Sequence, residues 1–123
     1  GVRRCVIDAI YNAQGKGCAP GTVGVGVGGD RASSYVVAKE QFFRPLDDEN
    51  PDPELAGLER RLYGELNELG IGPMGFGGKT TVLGVKIGIR HRVPACYFVS
   101  IAYMCWAYRK ATMTIKGEEV TYA

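Results

Sequence analysis

The stretch Gly21-Thr22-Val23-Gly24-Val25-Gly26-Val27-Gly28-Gly29-Asp30-Arg31 decides how the chain is read. From Thr22 to Val27 every second residue is a valine or a glycine in turn. Successive residues of a strand point to opposite faces. The segment is therefore a buried strand whose bare positions let another backbone come close. Asp30 is a good N-cap, so a helix is expected from Arg31 to about Phe43, stopped by Pro45.

Outward from that unit, Val2, Val6, Ile10 and Ala13 recur at helical spacing. A helix over 2–14 follows, with Gly15 as the residue past its end. Lys16 to Pro20 is a loop. Leu46 to Pro53 is acidic and polar, an exposed connector. Asp52, Pro53 and Glu54 then form an N-cap, a first-position proline and a first-turn acid. Leu55, Leu58, Leu62, Leu66 and Leu69 make an apolar stripe closed by Gly70, which reads as core packing. A second glycine-rich loop, 70–81, leads to a half-buried strand over 82–90. Ala95 to Tyr103 is apolar on both faces and is expected to be a central strand. Residues 111–115 and 119–122 flank Lys116-Gly117 as a hairpin. The fold class is α+β, one domain with a mixed sheet covered by three helices. Strand order is left open.

Bulk properties exclude several function classes. The 123 residues carry a net charge of +2 with both signs interspersed, unlike the one-sided basic stripe of a nucleic-acid binder. The longest apolar run, Val93 to Trp106, is too short to span a bilayer and contains Pro94 and Ser100. Arg3-Arg4 leads into a stretch holding Asp8 and Asn12, not a signal-peptide core. The expectation is a soluble intracellular protein without membrane or nucleic-acid partners. Because the chain opens at Gly1 in mid-helix pattern and reaches Ala123 in strand pattern, it also reads as a piece of a longer polypeptide.

Gly24-x-Gly26-x-x-Gly29 matches a dinucleotide fingerprint only on paper, because its first glycines lie inside the strand instead of after it. Gly77-Gly78-Lys79-Thr80 resembles the end of a phosphate loop, but it follows a helix and precedes a strand, the reverse of the required order. His91, the single histidine, stands between Arg90 and Arg92 at a strand end. The residue alone reads as an exposed or satisfied side chain. The four cysteines read as free thiols in a reducing compartment. Cys5 and Cys96 are expected to be small buried hydrophobes. Cys18 is presented by a glycine and proline loop. Cys105 leaves a core strand beside Trp106, where an apolar wall would exclude water. Residue chemistry leaves that pair either as cluster ligands or as unligated thiols, and leans to the second.

Three strings shift that balance: GKGCAPGTVGVGVGGDRASSYVVAKEQFFR (15–44), LGIGPMGFGGKTT (69–81) and HRVPACYFVSIAYMCWAYR (91–109). Together they resemble the class I fumarases, and within them the single-chain type. The likeness covers nearly the whole chain. It implies the C-terminal portion of an N-terminal, cluster-binding domain of an iron–sulfur hydro-lyase. That family holds a [4Fe–4S] cluster with three cysteines, and Cys18 and Cys105 fall on two of those positions. The third lies upstream beside a Gln-Asp-Thr-Gly segment carrying a catalytic acid, so no catalytic residue is assigned within this chain. Cys5 and Cys96 match no ligand position. His91 matches a histidine lining the substrate pocket.

The implied reaction is reversible hydration of fumarate to L-malate by a homodimeric enzyme of the cytoplasm, or of an organellar matrix in a eukaryote. The chain alone is expected to be inactive and without its cluster. The alternatives are a tartrate or methyl-substituted dicarboxylate hydratase of the same family, or a non-catalytic folded fragment.

Overall fold

A computed structural model describes residues 1–108 and 110–123. Arg109, the last residue of the third string above, lies outside the described residues. The elements run α1 (Val2–Ala13), β1 (Gly21–Val27), α2 (Arg31–Glu40), α3 (Pro53–Glu68), β2 (Val82–Ile89), β3 (Val99–Met104), β4 (Met113–Lys116) and β5 (Glu119–Tyr122). The main sheet has the order β2-β1-β3, with β1 parallel to β2 and antiparallel to β3. Among the described residues no helix is long and apolar enough to cross a membrane.

The two faces of β1 explain the layering. Val23 and Val25 are buried with Val6 and Ile10 of α1, Leu62 and Leu66 of α3, and Val82, Val85 and Ile87 of β2. On the other face Gly24 and Gly26 lie against the backbone of α2. A β-carbon at either position would overlap the carbonyl oxygen of Ala38 or of Ser34. Ser34 tightens that contact by donating its hydroxyl to the Gly26 carbonyl, 3.0 Å away. The glycines are thus filled by helix backbone, which leaves no room there for a dinucleotide.

Each helix has a local cause. The Asp30 carboxylate accepts from the Ser33 N–H (2.8 Å) while the Ser33 hydroxyl takes the Asp30 N–H (3.0 Å), a reciprocal cap on α2. α2 ends at Glu40 and tightens into a 3₁₀ turn over Gln41–Phe43, short of Pro45. Asp52 caps α3 by accepting from the N–H groups of Glu54 and Leu55. Of the α3 leucines, Leu62 and Leu66 are fully buried and form the centre of its packing face.

Several expectations are corrected. β1, not the 95–103 segment, is the central strand; β3 is a half-buried edge strand that starts only at Val99. Residues 95–98 lie beyond the end of β1, where Gly28 turns the chain away and donates to the Phe98 carbonyl at 2.9 Å. With no strand to pair with, that apolar run stays irregular. The connector 46–53 is not wholly exposed either. Asn50 is buried and donates to the Glu59 carboxylate (2.8 Å) and to the Ile87 carbonyl (2.9 Å). Glu59, also buried, further accepts from the Ile87 N–H (2.7 Å) and from Arg44 (2.8 Å). Lys86 pairs with Asp48. These charges are matched and hydrogen-bonded, the condition under which buried ions persist, and they fasten the connector to the outer edge of β2.

The hairpin β4–β5 forms as expected, turning at Gly117 with a positive φ of 63°. All eight of its strand residues are exposed.

Candidate functional site

Cys18 is set in place by a chain of backbone contacts. After α1 the backbone makes a 3₁₀ turn over Gln14–Gly17 and enters the left-handed region at Cys18, with φ 56° and ψ 54°. For a residue with a β-carbon that conformation costs about 1–2 kcal/mol. It is offset by hydrogen bonds each worth about 0.5–1.5 kcal/mol net. The Cys18 N–H donates to the Gly15 carbonyl at 3.1 Å, and the Ala19 carbonyl accepts from the Met74 N–H at 2.7 Å. The second bond comes from the other glycine-rich loop, at its 3₁₀ turn over Pro73–Gly75. Gly15 is not the simple helix terminator expected. A β-carbon there would overlap the Met74 carbonyl, so the residue is bare to let the two loops interlock.

Cys105 reaches the same end of the sheet along β3. Met104 pairs with Thr22, so the next residue lies level with the start of β1 and the loop that carries Cys18. Tyr103, opposite Val23, lies at this same end of the sheet. A β-carbon on Gly17 would fall 2.6 Å from Cε1 of the Tyr103 ring, and one on Gly21 would fall 2.5 Å from Cε1. Burial pushes the Tyr103 phenol above its ordinary pKa; nearby Cys18 and then Cys105 add to the shift, and the Gly21 backbone opposes it. Both cysteines therefore lie within electrostatic reach of one phenol. Each is half-buried and free.

The other two cysteines stay apart from this pair. Cys5 is exposed on α1, contrary to expectation, because the helix turns Val6 and Ile10 into the core instead. Cys96 is only half-buried and belongs to the turn before β3, where its N–H donates to the Val93 carbonyl. Trp106 does not form a closed apolar wall beside Cys105, since it is 53% exposed.

His91 stands elsewhere. It follows β2, whose last residue Ile89 pairs with Val27 at the far end of β1. The seven residues of β1 separate the two ends by about 20 Å. His91 is exposed, and its carbonyl accepts from the Gly29 N–H at 3.2 Å. A cleft of about 630 Å³ opens beside it, lined by Gly29, Asp30, Ser33, Ile89, Arg90 and Val93. Hydrogen bonds from Ser33, backbone first, hold the Asp30 carboxyl below its ordinary pKa. Within one chain the structure brings Cys18 and Cys105 together and leaves His91 at the opposite end.

The donor set at the cysteine end suits a soft metal group. Thiolates are the usual protein ligands of iron–sulfur clusters, and two half-buried thiols lie at this end of the sheet. Among the described residues no third histidine, cysteine, aspartate or glutamate joins them to complete a metal site. Tyr103 was missed by sequence reading. The available signal was the pair of glycines bracketing Cys18, which mark space taken by a large ring.

The family model for fumarate hydratase (Fumerase) matches residues 1–114. The chain belongs to the fumarate hydratase family. A protein of Geobacillus stearothermophilus named as a class I fumarate hydratase is 56% identical over 110 residues, covering 89% of this chain and 21% of that protein. Proteins named as the α subunit of L(+)-tartrate dehydratase are 40% identical over 116 residues in Methanocaldococcus jannaschii and 35% identical over 118 residues in Escherichia coli K12. These matches cover 94% and 96% of this chain, but 41% and 39% of the relatives. The chain thus spans about a fifth of the class I relative and about two fifths of the tartrate dehydratase subunits. It is a member of a hydro-lyase family with an α+β sheet domain, and Cys18 and Cys105 lie at one end of that sheet.

Proposed function

We propose that this chain is part of the N-terminal, cluster-binding domain of an enzyme that reversibly hydrates fumarate to L-malate. Cys18 and Cys105 are two of the three protein ligands of its [4Fe–4S] cluster, and His91 lines the substrate pocket. The observation that carries this reading is that the Cys18 loop, packed on the Tyr103 ring, and the end of β3 carry two half-buried thiols to the same end of the sheet from segments distant in sequence. The higher identity to the class I relative than to the tartrate dehydratase subunits favours fumarate over tartrate as substrate.

Held by Cys18, Cys105 and a third ligand, such a cluster would supply Lewis-acid chemistry toward the substrate. The chain's own residues hold and orient. The left-handed backbone at Cys18 and the interlocked glycine loops fix one thiol, and the end of β3 fixes the other. Arg90 and Arg92 flank His91 and make a positive edge suited to a dicarboxylate. Because His91 lies about 20 Å from the cysteines along β1, it serves the cluster site of the second copy in a homodimer. The four free thiols support a reducing compartment for the enzyme, the cytoplasm or an organellar matrix.

The test is anaerobic purification of the full-length protein with iron and sulfide counts and a panel of dicarboxylate substrates. Cys18→Ser or Cys105→Ser removes the cluster, and Cys5→Ser or Cys96→Ser keeps it. Co-expressing Cys18→Ser with His91→Ala chains restores roughly a quarter of wild-type turnover if the histidine acts across the dimer. No restoration would contradict that arrangement.

A further inference from the structure

We infer that Tyr103 is the positioning residue of the cysteine pair, with its ring serving as the surface on which the Cys18 loop is laid. This rests on reading Cys18 and Cys105 as cluster ligands. Three observations carry it. Gly17 and Gly21 bracket Cys18, and at each a β-carbon would fall about 1 Å inside ordinary contact with a ring carbon: 2.6 Å for Gly17 and 2.5 Å for Gly21, both from Cε1. The loop therefore bends over the ring with the cysteine at its crest. Tyr103 lies in β3 and Cys105 follows directly after the last strand residue, so one segment carries both the template and the second thiol. Finally, the loop's outer side is gripped by Met74 and Gly75, whose backbone would be overlapped by a β-carbon on Gly15. With the ring inside and the second glycine loop outside, Cys18 is clamped.

Simple core filling does not account for this arrangement. Tyr103 is only half-buried, and although it packs against the core that holds Leu62 and Ile87, its ring also takes the space that Gly17 and Gly21 leave bare. What the ring determines is where the Cys18 sulfur stands relative to that of Cys105. Groups that orient the side chains binding a metal change its affinity by about 10–100-fold when they are removed.

The experiment compares Tyr103→Phe, Tyr103→Ala, Gly17→Ala and Cys18→Ser in the full-length protein, prepared anaerobically. The readouts are iron and sulfide content, the EPR spectrum of the reduced cluster, and the rate of cluster loss in air. Tyr103→Phe, which keeps the ring, retains the wild-type spectrum and rate. Tyr103→Ala loses its cluster about ten-fold faster and shows a shifted spectrum. Gly17→Ala does the same by displacing the ring, and it carries the test if Tyr103→Ala fails to fold. Wild-type rate and spectrum in both Tyr103→Ala and Gly17→Ala, or in Gly17→Ala alone where the other does not fold, would overturn the inference. A cluster retained in Cys18→Ser would instead overturn the ligand assignment beneath it.

Discussion

At the end of the sheet where β1 begins, the Cys18 loop is held on both sides, by Tyr103 within and by the Pro73–Gly75 turn without. At the end where β1 finishes, His91 is tied through its carbonyl to Gly29, and its side chain faces solvent between two exposed arginines. Under the proposed function, the contrast follows from what each end is asked to do. Two thiols that share one metal group must keep a fixed separation, which calls for interlocked backbone. On the same proposal, a histidine that meets a mobile dicarboxylate at the edge of a partner gains its final surroundings on assembly. The same strand ties both ends to one frame.

The largest expected effect separates the two ends outright. Cys18→Ser or Cys105→Ser reduces the iron content of the full-length protein to background, whereas His91→Ala leaves it at the wild-type level and impairs turnover. Iron loss in His91→Ala would erase the distinction. Next comes the frame between the ends. Gly24→Ala forces a β-carbon into the Ala38 carbonyl, and overpacking of this kind costs about 1–3 kcal/mol or more. Chemical denaturation of the chain measures it, and a change within error would mean that α2 is free to move off β1. At the histidine end, Ser33→Ala breaks the reciprocal cap of α2 and costs about 1 kcal/mol in the same assay. It leaves the cysteine end, and so the iron content of the full-length protein, untouched.

The smallest effect is a pH dependence. Burial would raise the Asp48 carboxyl, but hydrogen bonds from Arg44 and Lys86 outweigh it and hold the pKa below its ordinary value. A carboxyl depressed in the folded state adds stability above its unfolded pKa of about 4, and that stability is lost as pH falls through the folded value. Asp48→Asn is therefore expected to flatten the decline of the melting temperature below about pH 4. An unchanged slope would mean that another carboxylate governs it.

Much of this frame was legible in the residues. The valine and glycine alternation of 22–27 announced both a buried strand and a close approach of another backbone, and the Asp30 and Asp52 caps marked where helices begin. Cys18 and Cys105 stood out as candidates because glycines and a strand end present them. What did not show was the direction of travel. The chain between His91 and Cys105 is used in crossing the sheet along β3, so nearness in sequence became separation in space. Strand rank was hidden too, because the apolar run at 95–98 resembles strand interior yet has no partner beyond Val27. Cys5 was misjudged for a similar reason. Helical spacing identifies Val6 and Ile10 as the inward face, and a thiol one position away falls outside it.

The most direct test of the account uses the four free thiols of the metal-free chain and a short bifunctional reagent that bridges only thiols in near contact. The expected product is a single internal cross-link joining the peptides that contain Cys18 and Cys105, with Cys5 and Cys96 carrying separate single-ended labels. Single-ended labelling of Cys18 and Cys105, or a bridge from either one to Cys96, would contradict the convergence on which the cluster site depends.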